Sequence, residues 1–264
     1  MRSIAVMNQK GGVGKTTTVV NVGAALAESG LRVCVIDLDP QAHATLHLGS
    51  DLRPEQPSIY HVLTGQHRLE EARRQVADNL WVVGSSLDLA AAETELASVA
   101  GREAILRDKL GEDSQTFDYL LIDCPPSLGI LTLNALVAVG EVFIPLQPHF
   151  LALHGLSKLL ETIGRVAARL NPRLKLGGVV LCMYDANTRL AAEVSQDVVE
   201  FFQAARGQST PWAEATVFQT RIRRNIRLAE APSFGQSIFQ YARSSNGAED
   251  YRELAAEIRT GSGR

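Results

Sequence analysis

Short apolar runs alternate with longer segments of helical periodicity along most of the chain. Continuous apolar runs of this length are typical of strands that are buried on both faces. They predict strands at Ser3–Met7, Arg32–Ile36, Leu80–Val83, Tyr119–Ile122, Val142–Leu146 and Gly178–Cys182, with Ser237–Tyr241 as a late candidate. Apolar positions three and four residues apart predict helices at Thr16–Ser29, Leu89–Leu110, Leu131–Val139, Gly155–Leu170, Ala191–Ala205 and Ala248–Arg259.

This alternation of strands and helices predicts the fold class. It indicates a doubly wound α/β fold, in which helices cover both faces of a mostly parallel sheet. The length of 264 residues suits one large domain or two small ones. No repeat or low-complexity linker divides the chain, so we predict a single domain over 1–259 and a short disordered tail at 260–264.

The composition limits the classes of function. Hydrophobic residues make up 45% of the chain and charged residues 21%, which is the balance of a globular protein with a sizeable core. The formal net charge is −3, so any nucleic-acid surface must be a local patch. Cys34, Cys124 and Cys182 lie far apart in apolar runs and are predicted to be small buried groups in a reducing setting.

The strongest motif is NQKGGVGKTT at 8–17, which follows a predicted strand and opens a predicted helix. Glycines let backbone N–H groups converge on phosphate oxygens, and the helix N-terminus adds its positive dipole end. The spacing predicts that Lys15 contacts the β- and γ-phosphates of ATP and that the Thr16 hydroxyl ligates Mg²⁺. The predicted nucleotide-binding residues here are Lys10, Gly11, Gly12, Val13, Gly14, Lys15, Thr16 and Thr17.

Aspartates follow two of the predicted strands. Asp37 and Asp39 come after one strand, and Asp123 ends another. The carboxyl ends of parallel strands are where such sheets bind ligands. Asp123 is therefore predicted to hold Mg²⁺ through water, as a Walker B aspartate does. For Asp37 and Asp39, a helix cap or an Asx turn before Pro40 stays open as the alternative.

A short basic segment stands out against the acidic chain. Arg221, Arg223, Arg224 and Arg227 crowd together there with no acid between them. Such a patch can neutralise phosphates without recognising a base sequence. A solvated basic face is the alternative.

Together these motifs resemble the ParA family of DNA-partition ATPases. KGGVGKTT is the deviant P-loop that ParA shares with MinD and the nitrogenase iron protein. The variant with Gln9 before it resembles ParA in particular, since the membrane and metal relatives usually have glycine at that position. Similar segments occur at 149–163, 177–185, 225–238 and 247–258. The resemblance implies a cytoplasmic, nucleoid-associated ATPase that forms an ATP-dependent homodimer and binds double-stranded DNA without sequence preference. It further implies chromosome or plasmid partition with a ParB-like activating protein.

The resemblance also implies roles for single residues. Lys10 would act across the dimer interface on the partner's nucleotide, as an arginine finger does. DLDPQ resembles switch I, so Asp39 would position the attacking water and Asp37 would lie near the metal, while DCPPSLG resembles switch II. The predicted catalytic residues are Lys10, Lys15 and Asp39, and the predicted metal residues are Thr16, Asp37 and Asp123.

Two segments depart from the family pattern. Arg223 stands where relatives have a proline that lines the adenine pocket, so Asn225 is the safer of these two predicted nucleotide contacts. Arg189 stands two residues after the position of an arginine that contacts DNA in relatives. Arg227 best matches a DNA-contacting residue. The predicted DNA-binding residues are Arg189, Arg221, Arg224 and Arg227.

Three rival functions share this P-loop fold. A MinD-like membrane ATPase ends in a basic amphipathic helix, whereas the last residues here are acidic as well as basic, so no membrane partner is expected. An iron–sulfur carrier needs paired cysteines at a dimer axis. A small-molecule kinase or ligase needs a substrate pocket. A positioning ATPase for a protein cargo is a fourth possibility.

Overall fold

The protein is described by a computed structural model, which covers residues 1–53 and 55–261. The strands are β1 (Arg2–Val6), β2 (Val33–Asp37), β3 (Arg73–Ala77), β4 (Leu80–Val83), β5 (Tyr119–Asp123), β6 (Glu141–Leu146), β7 (Lys175–Tyr184) and β8 (Thr216–Arg223). They form one sheet in the order β3-β4-β2-β5-β1-β6-β7-β8. Neighbouring strands are parallel, except that β3 runs antiparallel to β4.

Helices connect the strands. They are α1 (Lys15–Glu28), α2 (His43–His47), α3 (Ile59–Leu63), α4 (Leu69–Ala72), α5 (Leu89–Glu95), α6 (Ile105–Glu112), α7 (Ile130–Ala138), α8 (Ala152–Arg169), α9 (Arg189–Ala205), α10 (Ile226–Glu230), α11 (Ile238–Tyr241) and α12 (Asn246–Thr260). Successive residues along β1 and directly after it enter different cores: Ala5 and Met7 pack with α7 and α8, whereas Ile4 and Val6 pack with α1 and α12. Both faces of the sheet are therefore covered, which confirms the predicted fold class.

The predicted helix Leu89–Leu110 is wrong as a single helix. Val99 is extended and Gly101 has a φ of 72°, in the left-handed region that glycine adopts at little cost. The chain therefore leaves α5 before it enters α6. The new helix is anchored from a neighbour, because the Leu106 N–H donates to Asn134 Oδ1 on α7 at 3.0 Å.

The late candidate strand Ser237–Tyr241 is also wrong, because this segment contains the one-turn helix α11. The Ser237 N–H donates to Gln240 Oε1 at 3.0 Å, and the Ile238 N–H donates to Asn21 Oδ1 at 2.8 Å. These capping bonds satisfy the free donors of a helix start. The edge strands β3 and β8 were not predicted.

Helix α12 is attached to the edge strand β8 by two of its carboxylates. Glu257 accepts hydrogen bonds from the backbone N–H groups of Gln219, at 2.7 Å, and Thr220, at 3.0 Å. Asp250 accepts one from the backbone N–H of Arg223 at 2.8 Å. The helix continues to Thr260, one residue beyond the predicted end of the domain. Of the predicted tail, residues 262–264 lie outside the described residues.

Within the described part of the chain, no helix is both long enough and apolar enough to cross a membrane.

Candidate active site

The loop between β1 and α1 lies at the carboxyl edge of the sheet. Gly12 and Gly14 have φ values of 71° and 93°, which a residue with a side chain adopts only under strain. A Cβ atom at Gly14 would also lie 3.7 Å from the Cys182 sulfur of β7. Helix α1 begins directly after Gly14, so the loop ends on unpaired helix N–H groups. This is the geometry of an anion-binding loop.

The two lysines of the loop point to different environments. Lys15 is 7% exposed, and its Nζ lies 3.4 Å from the carbonyl oxygen of Lys10. Lys10 is exposed, and its Nζ lies 3.4 Å from Gln147 Oε1. The Lys10 N–H donates to Asn8 Oδ1 at 3.0 Å, which holds the backbone at this point. One ammonium group therefore faces the inside of the loop, and the other lies at its rim.

Thr16 and Asp123 meet beneath the loop. The Thr16 hydroxyl donates to Asp123 Oδ2 at 2.6 Å, while Asp123 Oδ1 is buried and has no hydrogen-bond partner among the described residues. Burial raises the pKa of Asp123 well above its ordinary value, and the charges of Asp37 and Asp39 raise it further. A hydroxyl, an unpaired buried carboxylate oxygen and surplus negative charge are what a magnesium site offers, so these residues fit Mg²⁺.

Asp37 lies beside Asp123 on the neighbouring strand, but protein donors occupy both of its oxygens. Oδ2 accepts from the N–H of Thr45 at 2.8 Å and from its hydroxyl at 2.7 Å. Oδ1 accepts from the N–H of Asp39 at 3.1 Å, which forms an Asx turn. Burial raises the pKa of Asp37 to about 6. The turn that the sequence left open is present, and the metal role of Asp37 stays a prediction.

Asp39 is 8% exposed, and like Asp37 it lies close enough to Asp123 for its charge to act on that carboxylate. Its Oδ1 accepts from the N–H of Gln41 at 2.9 Å. No hydrogen bond reaches its Oδ2 within the described ranges. One oxygen is therefore held by the backbone and the other can accept a proton or a hydrogen bond from water.

The predicted adenine contacts lie at the end of β8. The Arg223 guanidinium binds Asp250 of α12 with its Nε at 2.9 Å and Glu249 with its Nη2 at 2.7 Å. Asn225 caps α10, since its Oδ1 accepts from the N–H of Arg227 at 2.9 Å. Both side chains thus have structural partners, and their contact with a nucleotide stays a prediction.

The remaining arginines share the carboxyl edge of β7 and β8. The Arg221 guanidinium lies 4.4 Å from the ring centre of Tyr184 and donates to its hydroxyl at 2.7 Å. Arg189 pairs with Glu193 at 2.7 Å, and Arg227 pairs with Glu230 at 2.8 Å. The Arg224 side chain is exposed and has no partner among the described residues. The segments are adjacent, because the Arg224 N–H donates to the carbonyl of Tyr184 at 3.4 Å.

The structure adds Thr45 and Ser85, which the sequence analysis did not select. Thr45 on α2 contacts Asp37 as described above, and the Ser85 N–H donates to Thr45 Oγ1 at 2.8 Å. A hydroxyl residue eight positions after Asp37 has no recognisable spacing rule, so only the fold brings them together.

Helix α2 also reaches the segment that follows Arg227. Gly49 and Gly235 both have positive φ values, and a Cβ atom on Gly235 would lie 2.9 Å from the Gly49 Cα. His47 is fully buried nearby, and burial lowers its pKa to about 4, although the backbone of Gln236 acts to raise it.

Comparison with known proteins agrees with this geometry. The sequence profile of a family described as "AAA domain" matches residues 1–176. The chain is 45% identical to the chromosome-partitioning ATPase Soj of Thermus thermophilus, over 98% of this chain and 95% of that protein. It is 42% identical to the chromosome partitioning protein ParA of Caulobacter vibrioides, over 98% of this chain and 94% of that one. The chain belongs to the ParA/Soj family of partitioning ATPases.

A solved structure similar to this one was obtained with an ATP analogue and magnesium. It is named as cobyrinic acid a,c-diamide synthase from Mycobacterium smegmatis; it is 38% identical, has a TM-score of 0.82, and the match covers 100% of this chain and 97% of that one. Family membership confirms the predicted ParA resemblance and the ATPase activity. The ligands of this neighbour agree with the predicted cofactors, ATP and Mg²⁺.

The cysteines behave as the sequence predicts. Cys34, Cys124 and Cys182 are all free and buried. Burial raises the pKa of Cys34 and of Cys182 to about 12, so these thiols stay protonated at neutral pH.

Proposed function

We propose that this protein is an ATP-dependent dimerising switch that binds duplex DNA without sequence preference. It hydrolyses ATP slowly and partitions a chromosome or plasmid together with a ParB-like activating protein. In this proposal the chain acts as a single domain in the cytoplasm, where it associates with the nucleoid. The partition function of the relatives supports it.

The observation that carries the dimer is the exposed position of Lys10. Its ammonium group lies at the rim of the phosphate loop, against Gln147, while Lys15 already occupies the inside. Three residues after Gln147, Phe150 is 84% exposed, and Leu151 next to it is 59% exposed. A cation and large apolar side chains at one rim are suited to meeting a second subunit. Lys10 would then stabilise charge on the partner's nucleotide.

The chemistry proposed for the site divides among its residues. Bound Mg²⁺ would supply charge neutralisation on the β- and γ-phosphates, and the residues that fit it are Thr16 and Asp123. Lys15 binds the same phosphates from inside the loop. Asp39 orients the water that attacks, using the oxygen that the Gln41 N–H leaves unoccupied.

The proposed DNA surface is formed by Arg189, Arg221, Arg224 and Arg227. Acids neighbour Arg189 and Arg227, but these are exposed ion pairs, which contribute little energy and can exchange for phosphate. Arg224 has no ion pair to give up, because its side chain has no partner among the described residues. The surface lies on the same edge of the sheet as the phosphate loop, so dimerisation would place two such surfaces on one assembly.

A second candidate function is an amide ligase, because a similar solved structure is named as a diamide synthase. A ligase needs a substrate pocket beside the terminal phosphate. A cavity of about 1340 Å³ is present, but it is lined by residues such as Ser3, Gly140 and Lys175 at the opposite edge of the sheet. The Soj and ParA relatives described above have higher identity and are named as partition proteins, so the partition function is favoured.

Sedimentation velocity with and without ATP tests the dimer. Lys10→Ala should bind nucleotide like the wild type but fail to dimerise or to hydrolyse ATP, because the cation at the rim is lost. Lys15→Ala serves as the matched control, and it should lose nucleotide binding itself. If Lys10→Ala dimerises and hydrolyses ATP at the wild-type rate, Lys10 does not act across an interface.

A further inference from the structure

Thr45 joins two parts of the site that are separate in sequence. It is 2% exposed, and its N–H and hydroxyl together make three hydrogen bonds. Its N–H and its hydroxyl both donate to Asp37 Oδ2, at 2.8 and 2.7 Å, and its Oγ1 accepts from the Ser85 N–H at 2.8 Å. The hydroxyl therefore uses both its donor and an acceptor position, which fixes its direction.

The chain of bonds continues to the predicted catalytic carboxylate. Asp37 Oδ1 accepts from the N–H of Asp39 at 3.1 Å, so the backbone of Asp39 is held by the carboxylate that Thr45 orients. The loop beyond it is strained at Ala42, which has a φ of 54°. Such a conformation persists only where the surroundings fix it. The bonds of Thr45 to Asp37 are part of those surroundings.

Packing holds Thr45 in this orientation. A Cβ atom on Gly84 would lie 2.9 Å from Thr45 Cγ2, so the absence of a side chain at Gly84 leaves the space that the Thr45 methyl group needs. The methyl lies against the end of β4 while the hydroxyl faces Asp37. A rotation about χ1 that moved the methyl into the position of the hydroxyl would place it on a buried carboxylate.

We infer that Thr45 is a positioning residue for ATP hydrolysis, acting through Asp37 on the backbone of Asp39. The inference rests on the proposed role of Asp39 in orienting water. Among the described residues Thr45 makes no hydrogen bond to the phosphate loop; it acts by fixing the turn that presents the Asp39 carboxylate.

The expected effect is on turnover and not on nucleotide affinity. Thr45→Val keeps the shape of the side chain but removes the hydroxyl, so Asp37 loses one donor and the Ser85 N–H loses its acceptor. A small displacement of a catalytic group costs roughly 10- to 100-fold in rate. We expect kcat to fall by this factor while the KM and the Kd for ATP stay within about twofold, since the Lys10–Thr17 loop is unchanged.

The experiment compares Thr45→Val with Thr45→Ser and Asp39→Ala. Thr45→Ser retains the hydroxyl and should restore most of the turnover. Thr45→Val should accumulate the ATP-bound dimer in sedimentation velocity, as Asp39→Ala should, and a loss of stability alone would not produce that dimer. Thermal unfolding checks the fold of each variant, and Thr45→Ala replaces Thr45→Val if the valine variant does not fold.

The outcomes separate this inference from the proposed function. Wild-type turnover in Thr45→Val, together with an inactive Asp39→Ala, overturns the inference and leaves the proposed function intact. Wild-type turnover in Asp39→Ala overturns the proposed role of Asp39 itself. Loss of ATP affinity in Thr45→Val, or no rescue by Thr45→Ser, assigns Thr45 a structural role and also overturns the inference.

Discussion

A carboxylate buried at the end of a strand needs hydrogen-bond donors or a cation, and two neighbouring aspartates meet this need differently. Protein donors occupy both oxygens of Asp37. Asp123 has a single donor, Thr16, and its second oxygen is unpaired among the described residues. The spacing of the sequence places both aspartates at the correct edge. The sequence could not distinguish them, because Thr45, which donates to Asp37, lies on α2, and no recognisable motif marks that helix.

Arg223 shows the same limit for a surface residue. Its place in a basic segment predicts a free cation, yet its guanidinium lies between Asp250 and Glu249 of α12. These acids are more than twenty residues away along the chain, so their effect on the basic patch is invisible until β8 and α12 are packed together. The P-loop is the opposite case, since all its parts are local and its geometry agrees with the sequence.

His47 gives the protein a predictable loss of stability in acid. Its pKa is about 4 when folded, against an ordinary value of 6.5. Between these values the unfolded chain binds a proton that the folded protein does not. The free energy of unfolding should therefore fall as the pH drops from about 6.5 to 4, by at most ~1.4 kcal/mol per pH unit from this residue.

Urea unfolding at pH 7, 6 and 5 measures this dependence. His47→Leu should flatten the slope, because the replaced side chain does not titrate. His43→Leu is the matched control: His43 is exposed on the same helix, and its loss should leave the slope as in the wild type. Equal slopes in His47→Leu and the wild type would contradict the prediction.

At the scale of elements, the central strands were predictable and the edges were not. β1, β2, β5, β6 and β7 are buried on both faces, so their apolar runs are continuous and easily recognised. β8 is exposed on alternate residues over 219–223 and carries arginines, and β3 is half-buried except at the exposed Gln75. The prediction of one helix over Leu89–Leu110 was wrong because the helical pattern continues on both sides of Gly101, whose positive φ interrupts the helix.

The attachment of α12 to β8 should depend on Asp250 in particular. This side chain is almost fully buried and accepts from the Arg223 N–H at 2.8 Å. Asp250→Ala removes this acceptor and should lower the free energy of unfolding by roughly 1–3 kcal/mol.

Glu249→Ala is the matched control, because Glu249 binds the same guanidinium from an exposed position. Its loss should change the free energy of unfolding by less than about 0.5 kcal/mol. Urea unfolding of both variants compares them directly, and an equal effect would show that the hydrogen bond from the Arg223 N–H to Asp250 contributes nothing.

At the scale of the whole molecule, the proposed DNA surface is small relative to a chain of net charge −3. One subunit should therefore bind duplex DNA weakly, and two surfaces fixed on a dimer should bind more tightly through effective concentration. Affinity should fall steeply as salt rises, since released counterions drive the binding.

Arg227→Glu should weaken binding to unrelated duplexes by roughly tenfold or more and leave ATP binding intact. Arg165→Glu is the matched control. Arg165 is exposed on α8 and pairs with Glu161 one turn away, as Arg227 pairs with Glu230, but it lies outside the basic segment. Gel shifts with and without ATP, at several salt concentrations, measure both. Binding that ignores ATP, or that is unchanged in Arg227→Glu, would favour a protein cargo.

The carboxylate of Glu257 has a consequence for copies of this protein at high local concentration. An exposed edge strand offers free N–H groups to the edge of another molecule, and this is a common start of aggregation. On β8 two of these groups, at Gln219 and Thr220, already donate to Glu257. At these two positions β8 has no free N–H to offer to another copy, which should slow aggregation through this edge at high concentration.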